Sequence, residues 1–288
     1  MRKKKYEPLI SQKIDFPIFE FLWNLKLSSI DAIAIRVFHG NLQSAYTRLN
    51  KLQKGKYIKQ ILISENQRYW TLDKKGFEFA KAHILPELRE NGYKSENPIH
   101  DILVSSIQLG PFIRQPSDKY TIYTDQMLRR YALNEFPDII PNPERHRPDG
   151  YWMSIEIENS FIALEVERNI KAVERYKSVQ YFYNHHPQVK AVIWAVESMP
   201  SAKRLYRYLD GPNNPEFLHK FITIDQCIKM GWQAPFLFKQ DRILSLNELL
   251  QEAPYNSPQT TQKPVLVSPL LTGRVSYRSP IRNQNWRL

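Results

Sequence analysis

Apolar positions in the first third of the chain recur with the spacing of amphipathic helices. Residues 16–25 form one such pattern, and residues 28–38 form a second, which a serine at its start can cap. Gly40 separates it from a third pattern over 41–55, which ends at a glycine. The sequence therefore predicts three successive helices before residue 56.

Two short apolar runs follow these helices. Residues 57–64 and 68–73 flank a polar turn over 65–67 and predict a β-hairpin, and another helix is expected over 77–84. Three helices and a hairpin in a unit of this size are the element order of a winged helix-turn-helix domain, which we assign to residues 1–83.

The third helix is the candidate recognition helix of such a domain. We expect Leu42, Leu49 and Leu52, with Tyr46 or Ala45, on its inward face. Arg, Asn and Gln side chains can form bidentate hydrogen bonds to base edges in the major groove. The candidate contacts with double-stranded DNA on the outward face are Asn41, Gln43, Ser44, Arg48 and Lys51.

The predicted hairpin carries Lys59 and Arg68, which suit contacts with phosphates. A winged helix that contacts another protein is the alternative interpretation of the same pattern. The basic excess of this region favours DNA.

After an interrupted polar stretch over 84–98, which we interpret as a linker, a second unit runs over 99–252. Its helical and strand patterns alternate, which predicts an α/β fold, and the apolar run over 189–196 is typical of a central strand covered on both faces. The expected elements are helices over 99–110, 124–134, 170–184, 201–209 and 225–231 and strands over 150–157, 161–167, 189–196 and 218–224.

The net charge of +12 is concentrated at the two ends of the chain. Residues 1–95 hold 18 Lys and Arg against 9 Asp and Glu, and residues 253–288 hold 5 against none, whereas residues 96–252 hold 18 against 20. A basic N-terminal unit favours a polyanionic partner. The Pro- and Ser-rich tail over 253–288 predicts a segment without fixed structure, which either stays solvated, adds DNA affinity or docks a protein partner.

A single cysteine, Cys227, excludes an internal disulfide and a multi-cysteine zinc site, and it fits a reducing compartment. No apolar run has the roughly 18 residues that a membrane span needs, and the basic start lacks the apolar segment of a secretion signal. We therefore expect a cytoplasmic bacterial protein without a membrane partner.

Three acidic residues are the candidate chemistry of the second unit. Asp149 opens a predicted strand, and Glu165 and Glu167 share one face of the next strand because they are two residues apart. Carboxylates crowded on a half-buried strand repel one another unless a cation or hydrogen bonds neutralise them, and Mg²⁺ suits such a cluster. A metal held there would activate water. Structural ion pairs are the alternative.

This arrangement resembles the PD-(D/E)xK nuclease superfamily, through Pro148-Asp149, Glu165-Val166-Glu167 and the following helix. The resemblance implies a three-layer α/β nuclease-like domain in which Asp149 and Glu165 are metal ligands. The sequence departs from the family at Glu167, where a lysine is usual. Some branches have an acid there and stay active, others move the lysine to the next helix, where Lys171 or Lys177 could serve, and inactive members are common.

The whole chain resembles more closely the replication-relaxation family of bacterial plasmids and mobile elements, which pairs a winged helix with a nuclease-like domain. The matching motifs are Tyr69–Gly76, Pro98–Asp101, Arg147–Gly150 and Glu165–Glu167, followed by a Lys-bearing helix. The resemblance implies a role in plasmid replication or DNA relaxation. If the nuclease-like domain is active, we expect Mg²⁺-dependent phosphodiester hydrolysis, with the metal held by Asp149, Glu165 and Glu167 and charge stabilised by Lys177 or Lys171. A regulator with a degenerate nuclease fold that only binds, or a transposition or conjugation accessory protein, is the alternative.

Overall fold

The structure is a computed structural model. It describes residues 7–64, 67–89, 95, 97–115, 117–155, 160–209, 219–238 and 245–251. The predicted tail over 253–288 and the predicted turn at Glu158-Asn159 lie outside the described residues.

The N-terminal unit has three helices, a hairpin and a fourth helix. The predicted hairpin is confirmed, since its two strands pair antiparallel. The elements are α1 (Gln12–Leu25), α2 (Ile30–Phe38), α3 (Leu42–Lys54), β1 (Ile58–Ser64), β2 (Gln67–Leu72) and α4 (Lys74–His83).

Side-chain caps define where these helices begin. The hydroxyl of Ser29 accepts a hydrogen bond from the Ala32 amide at the start of α2, and the Asn41 side chain accepts one from the Ser44 amide at the start of α3. Each bond satisfies one of the amides that the first turn of a helix leaves without an intrahelical partner.

Five strands form one mixed sheet in the second unit, which is consistent with the predicted α/β class. Their order is β3-β4-β5-β6-β7, with antiparallel pairing from β3 to β5 and parallel pairing from β5 to β7. The strands are β3 (Tyr120–Thr124), β4 (Gly150–Ser154), β5 (Phe161–Glu167), β6 (Val189–Val196) and β7 (His219–Thr223).

Helices cover both faces of the sheet. The crossovers through α7 and α8 join neighbouring parallel strands, so both helices lie on one face, whereas α5 and α9 pack on the other. The helices are α5 (Pro98–Leu109), α6 (Asp125–Arg130), α7 (Val173–Asn184), α8 (Met199–Tyr208), α9 (Ile224–Met230) and α10 (Leu246–Gln251). Within the described part of the chain, no helix is both long and apolar enough to cross a membrane.

The predicted elements differ from the structure mainly before residue 155. Strand β3 is absent from the prediction, and the helix predicted over 124–134 is shorter because Thr124 caps it and it ends at Arg130. The strand predicted over 150–157 ends at Ser154. Edge strand β3 has the sequence YTIYT and is only partly buried, so it carries no run of apolar residues for a pattern to detect.

The two units share a packed boundary. Trp23 of α1 stacks on Tyr131, which follows α6, with ring centroids 6.5 Å apart, and both belong to one continuous apolar cluster. The described start of the predicted linker is also bound to the second unit. Leu88 forms a β-bridge with Tyr131, and the Arg89 amide donates to the Arg130 carbonyl. Residues 86–89 therefore follow a fixed path along the second unit.

Candidate functional site

Helix α3 packs against the rest of the protein through a narrow apolar stripe. Ala45, Leu49 and Leu52 are its buried residues, at the spacing of one helical face. Leu42 and Tyr46, expected on the inward face, are instead 43% and 48% exposed. Tyr46 or Ala45 was expected at one of the inward positions. Ala45 is fully buried and Tyr46 is exposed, so Ala45 occupies that position. Most of the helix surface faces solvent.

Apart from Leu42 and Tyr46, the exposed side chains of α3 are polar or basic, and none is a carboxylate. Gln43, Ser44 and Lys51 are exposed, as expected for contact residues. Asn41 is exposed too, but its side-chain oxygen caps the helix and only its amide nitrogen remains to donate. The helix sequence LQSAYTRLNKLQK has no Asp or Glu, so nothing on α3 itself repels a phosphate.

Arg48, another predicted DNA contact, is bound within the protein. Its Nε donates to Asp15 Oδ1 at 2.6 Å, its terminal nitrogen pairs with Asp15 Oδ2, and it also donates to the Leu9 carbonyl at 2.8 Å. Asp15 is fully buried, and a buried carboxylate needs such a partner. The guanidinium of Arg48 is therefore committed to Asp15, not presented to solvent.

The hairpin beside α3 presents two cations. Lys59 is 54% exposed and lies 3.9 Å from Asp73, a distance at which the pairing is weak. Arg68 is exposed on β2. Both side chains extend from the antiparallel pair that follows α3.

The three predicted acidic residues lie at one end of the five-stranded sheet. Asp149 directly precedes Gly150, which pairs with Leu164, the residue before Glu165. Glu165 and Glu167 both reach side chains of α7, as their two-residue spacing predicts. The three residues thus share one region, as predicted, but each has partners of its own.

Glu165 is held by a tyrosine and a histidine. Its Oε1 accepts a hydrogen bond from the Tyr183 hydroxyl at 2.6 Å and lies 2.7 Å from His146 Nε2. Burial raises the pKa of the Glu165 carboxyl, although its contact with His146 opposes that shift. The carboxylate is enclosed by protein groups on the α7 side of the sheet.

Glu167 has an equivalent pair of partners, of which the tyrosine lies earlier on α7. Its Oε2 accepts from the Tyr176 hydroxyl at 2.7 Å, and its Oε1 lies 2.7 Å from Lys171 Nζ. Of the two lysines predicted to stabilise charge, Lys171 is therefore the one at the acidic residues. Lys177 is exposed on α7.

Asp149 faces different groups. Its Oδ2 accepts a hydrogen bond from the Val166 amide at 2.6 Å and lies 3.5 Å from His100 Nε2. Burial alone would lower the pKa of His100, but hydrogen bonds and charge from Asp101 and Asp149 raise it to about 10. His100 is therefore a cation beside Asp149 at neutral pH.

A lysine of the N-terminal unit reaches this end of the sheet. Lys26, just after α1, lies 2.7 Å from Asp125 Oδ2 and 3.1 Å from Asp101 Oδ1, with its side chain only 8% exposed. Arg147 Nε donates to the other oxygen of Asp125 at 3.1 Å. Lys26, Asp101, Asp125 and Asp149 line one cleft between the two units.

In this arrangement the three acids have partners within the protein, some of which a magnesium ion would have to displace. Mg²⁺ is usually held by one or two carboxylates, with water and phosphate oxygens completing a near-octahedral shell. Glu165 bonds to Tyr183 and His146, Glu167 bonds to Tyr176 and Lys171, and Asp149 bonds to a backbone amide and lies beside His100. Among the described residues, no group of three or more Asp, Glu, His or Cys is placed to hold a metal.

Except for one lysine, the hydrogen-bonding and ion-pair partners of these acids are not among the predicted site residues. Tyr176 and Tyr183 are seven residues apart, which puts both on one face of α7, so their spacing was a usable signal. His146 lies in an irregular loop, and Lys26 lies about a hundred residues from Asp125 in sequence. No periodic pattern could have placed either of them.

No family model matches the sequence, and comparisons with characterised proteins and with solved structures find no match either. The resemblance to the replication-relaxation family therefore remains a prediction from the motifs.

Proposed function

We propose that the chain binds double-stranded DNA, with residues 1–83 acting as a winged helix-turn-helix. Helix α3 would lie in the major groove and the β1–β2 hairpin would contact the flanking backbone. The element order of the unit, its basic excess and the antiparallel hairpin after α3 support this proposal.

The observation that carries the proposal is the exposed, carboxylate-free surface of α3. Gln43 is of the side-chain type that reads adenine through paired hydrogen bonds, whereas Lys51, Lys59 and Arg68 are suited to phosphates. The same surface without acids is complementary to a polyanion.

For the second unit, the bonding partners of the acidic residues favour the non-catalytic alternative. Each of Asp149, Glu165 and Glu167 forms hydrogen bonds within the protein, which is the pattern of a structural network. We propose that this unit has a nuclease-like fold that serves a DNA-binding regulator, in keeping with the plasmid or mobile-element role that the family resemblance implies.

Binding is tested with fluorescently labelled duplexes and single alanine variants of α3. We expect Lys51→Ala to weaken binding to random-sequence duplexes, because it removes a cation that neutralises a phosphate. Gln43→Ala should cost about 1–3 kcal/mol on a duplex selected for tight binding and relax the preference at one base position. The matched control is Lys229→Ala, which removes one exposed cation from α9, outside the N-terminal unit. Equal affinities for the wild type and all three variants would contradict the proposal.

The non-catalytic assignment is tested by nicking of supercoiled plasmid with added Mg²⁺. We expect the wild-type protein and Asp149→Ala to leave the plasmid intact to the same extent. Mg²⁺-dependent nicking by the wild type that Asp149→Ala abolishes would instead establish the nuclease.

A further inference from the structure

The second unit has a net excess of positive charge in one short region. Between residues 168 and 208 the chain holds eight Lys and Arg residues against two Glu, whereas the remainder of 96–252 holds ten against 18 Asp and Glu. Helices α7 and α8 fall within this region and lie side by side on one face of the sheet. Their outward surface is therefore basic on a unit that is otherwise acidic.

A pair of stacked tyrosines joins the two helices, and one cation lies against it. Tyr176 of α7 and Tyr208 of α8 stack with ring centroids 6.0 Å apart. Arg175 is adjacent to the first ring in sequence, and the guanidinium of Arg204 lies 5.3 Å from the centre of the second. The stack fixes the spacing of the two helices. We call this surface the α7–α8 basic face, formed by Arg175, Lys177, Lys203, Arg204 and Arg207, all of them exposed.

Uncharged groups hold the two arginines of α8 in place. Arg204 Nε donates to the Tyr208 hydroxyl at 2.6 Å, and Arg207 Nε donates to the Lys203 carbonyl at 3.3 Å. Because these partners carry no charge, each guanidinium keeps its positive charge and further N–H donors. Arginines held in this way are ordered and still able to bind phosphate oxygens.

We propose that the α7–α8 basic face is a second nucleic-acid contact, which binds the phosphate backbone of duplex DNA separately from α3. Closely spaced arginines and lysines on a rigid helix pair are complementary to the regular negative charge of a duplex. The face carries no sequence information, because it reads phosphates and not base edges. It adds affinity for any duplex while α3 supplies the preference. The proposal builds on DNA binding as the function, but it uses a different surface.

The test compares salt titrations of duplex binding for two sets of variants. The first set removes four of the five cations of the face in one protein, Arg175→Gln with Lys203→Gln, Arg204→Gln and Arg207→Gln. The second is Lys51→Gln on α3, and the matched control is Lys229→Gln on α9. We expect the affinity of the fourfold variant at low salt to fall by about tenfold or more. The slope of log affinity against log salt should become shallower by about 0.9 for each phosphate that the variant no longer neutralises.

A further variant separates charge from packing. Arg175→Lys with Arg204→Lys and Arg207→Lys keeps every charge but changes the stacking geometry, and it should retain the wild-type salt slope. Thermal unfolding of each protein monitors the fold. A fourfold variant that binds as Lys229→Gln does would overturn the α7–α8 basic face as a DNA contact and leave α3 unaffected. If the fourfold variant loses duplex binding while Lys51→Gln binds with wild-type affinity, the result supports the α7–α8 basic face as a DNA contact and refutes the contact through α3. Wild-type protein that binds no duplex refutes both.

Discussion

Helix α3 and the acidic end of the sheet both concentrate polar side chains, yet the two regions use them in opposite ways. On α3, Gln43 and Lys51 point into solvent around a narrow apolar stripe. At the sheet, Glu165 and Glu167 are buried and bonded to tyrosine, histidine and lysine side chains of the protein itself. A cluster of polar side chains therefore indicates a binding site when its hydrogen-bonding groups face solvent, and a structural role when they have partners within the protein.

Arg48 is an exception on α3, because its side chain is bonded within the protein, like those of the sheet acids. We expect Arg48→Ala to lower the free energy of unfolding by about 4 kcal/mol, since it leaves the buried Asp15 carboxylate without a cation. Lys51→Ala, on the exposed side of the same helix, should stay within about 0.5 kcal/mol of wild type. Urea denaturation of both variants measures the difference. Equal stabilities would mean that Arg48 is as available to DNA as Lys51.

Lys26 tests whether the acidic cleft is held by the N-terminal unit. Lys26→Met removes the ammonium between Asp101 and Asp125 but keeps most of the side-chain volume. We expect a loss of about 3 kcal/mol, smaller than for Arg48 because Arg147 still neutralises one oxygen of Asp125. Loss of cooperativity in the same denaturation curve would show that the two units separate. An unchanged curve would show that the cleft does not depend on Lys26.

Glu165 gives the smallest of these effects and tests the internal role of the acids. Glu165→Gln retains acceptors and donors for Tyr183 and His146, so we expect a change of about 1 kcal/mol or less. Glu165→Ala leaves both partners unsatisfied in a buried position and should cost about 2–3 kcal/mol. Neither variant should alter duplex affinity under conditions where it is folded. Reduced affinity in Glu165→Gln would place this carboxyl in a functional site.

Most of the helices and strands could be predicted from the sequence, because the spacing of apolar residues reflects which side chains are buried. The runs over 161–167 and 189–196 match β5 and β6 residue for residue, because most residues of a central strand covered on both faces are apolar. Edge strand β3 could not be predicted in this way because its sequence, YTIYT, contains no continuous apolar run. The predicted hairpin and the spacing of Glu165 and Glu167 were also correct, since both depend on neighbours in sequence.

The partners of the acids could not be predicted in the same way. His146, His100 and Lys26 reach Glu165, Asp149 and Asp125 from distant segments, and their arrival depends on how the sheet, α5 and the N-terminal unit pack. Residue type and spacing predicted three carboxylates in one region. Whether these carboxylates bind a metal or only stabilise the fold depends on these long-range interactions.

Duplex binding through α3 is decided by the salt dependence of the affinities of the wild-type protein and Lys51→Ala. If α3 contacts DNA, the logarithm of the association constant falls linearly with the logarithm of salt concentration, and the slope for Lys51→Ala is shallower by about 0.9. An affinity that stays flat between low and moderate salt, or identical slopes for the two proteins, would contradict DNA binding through this helix.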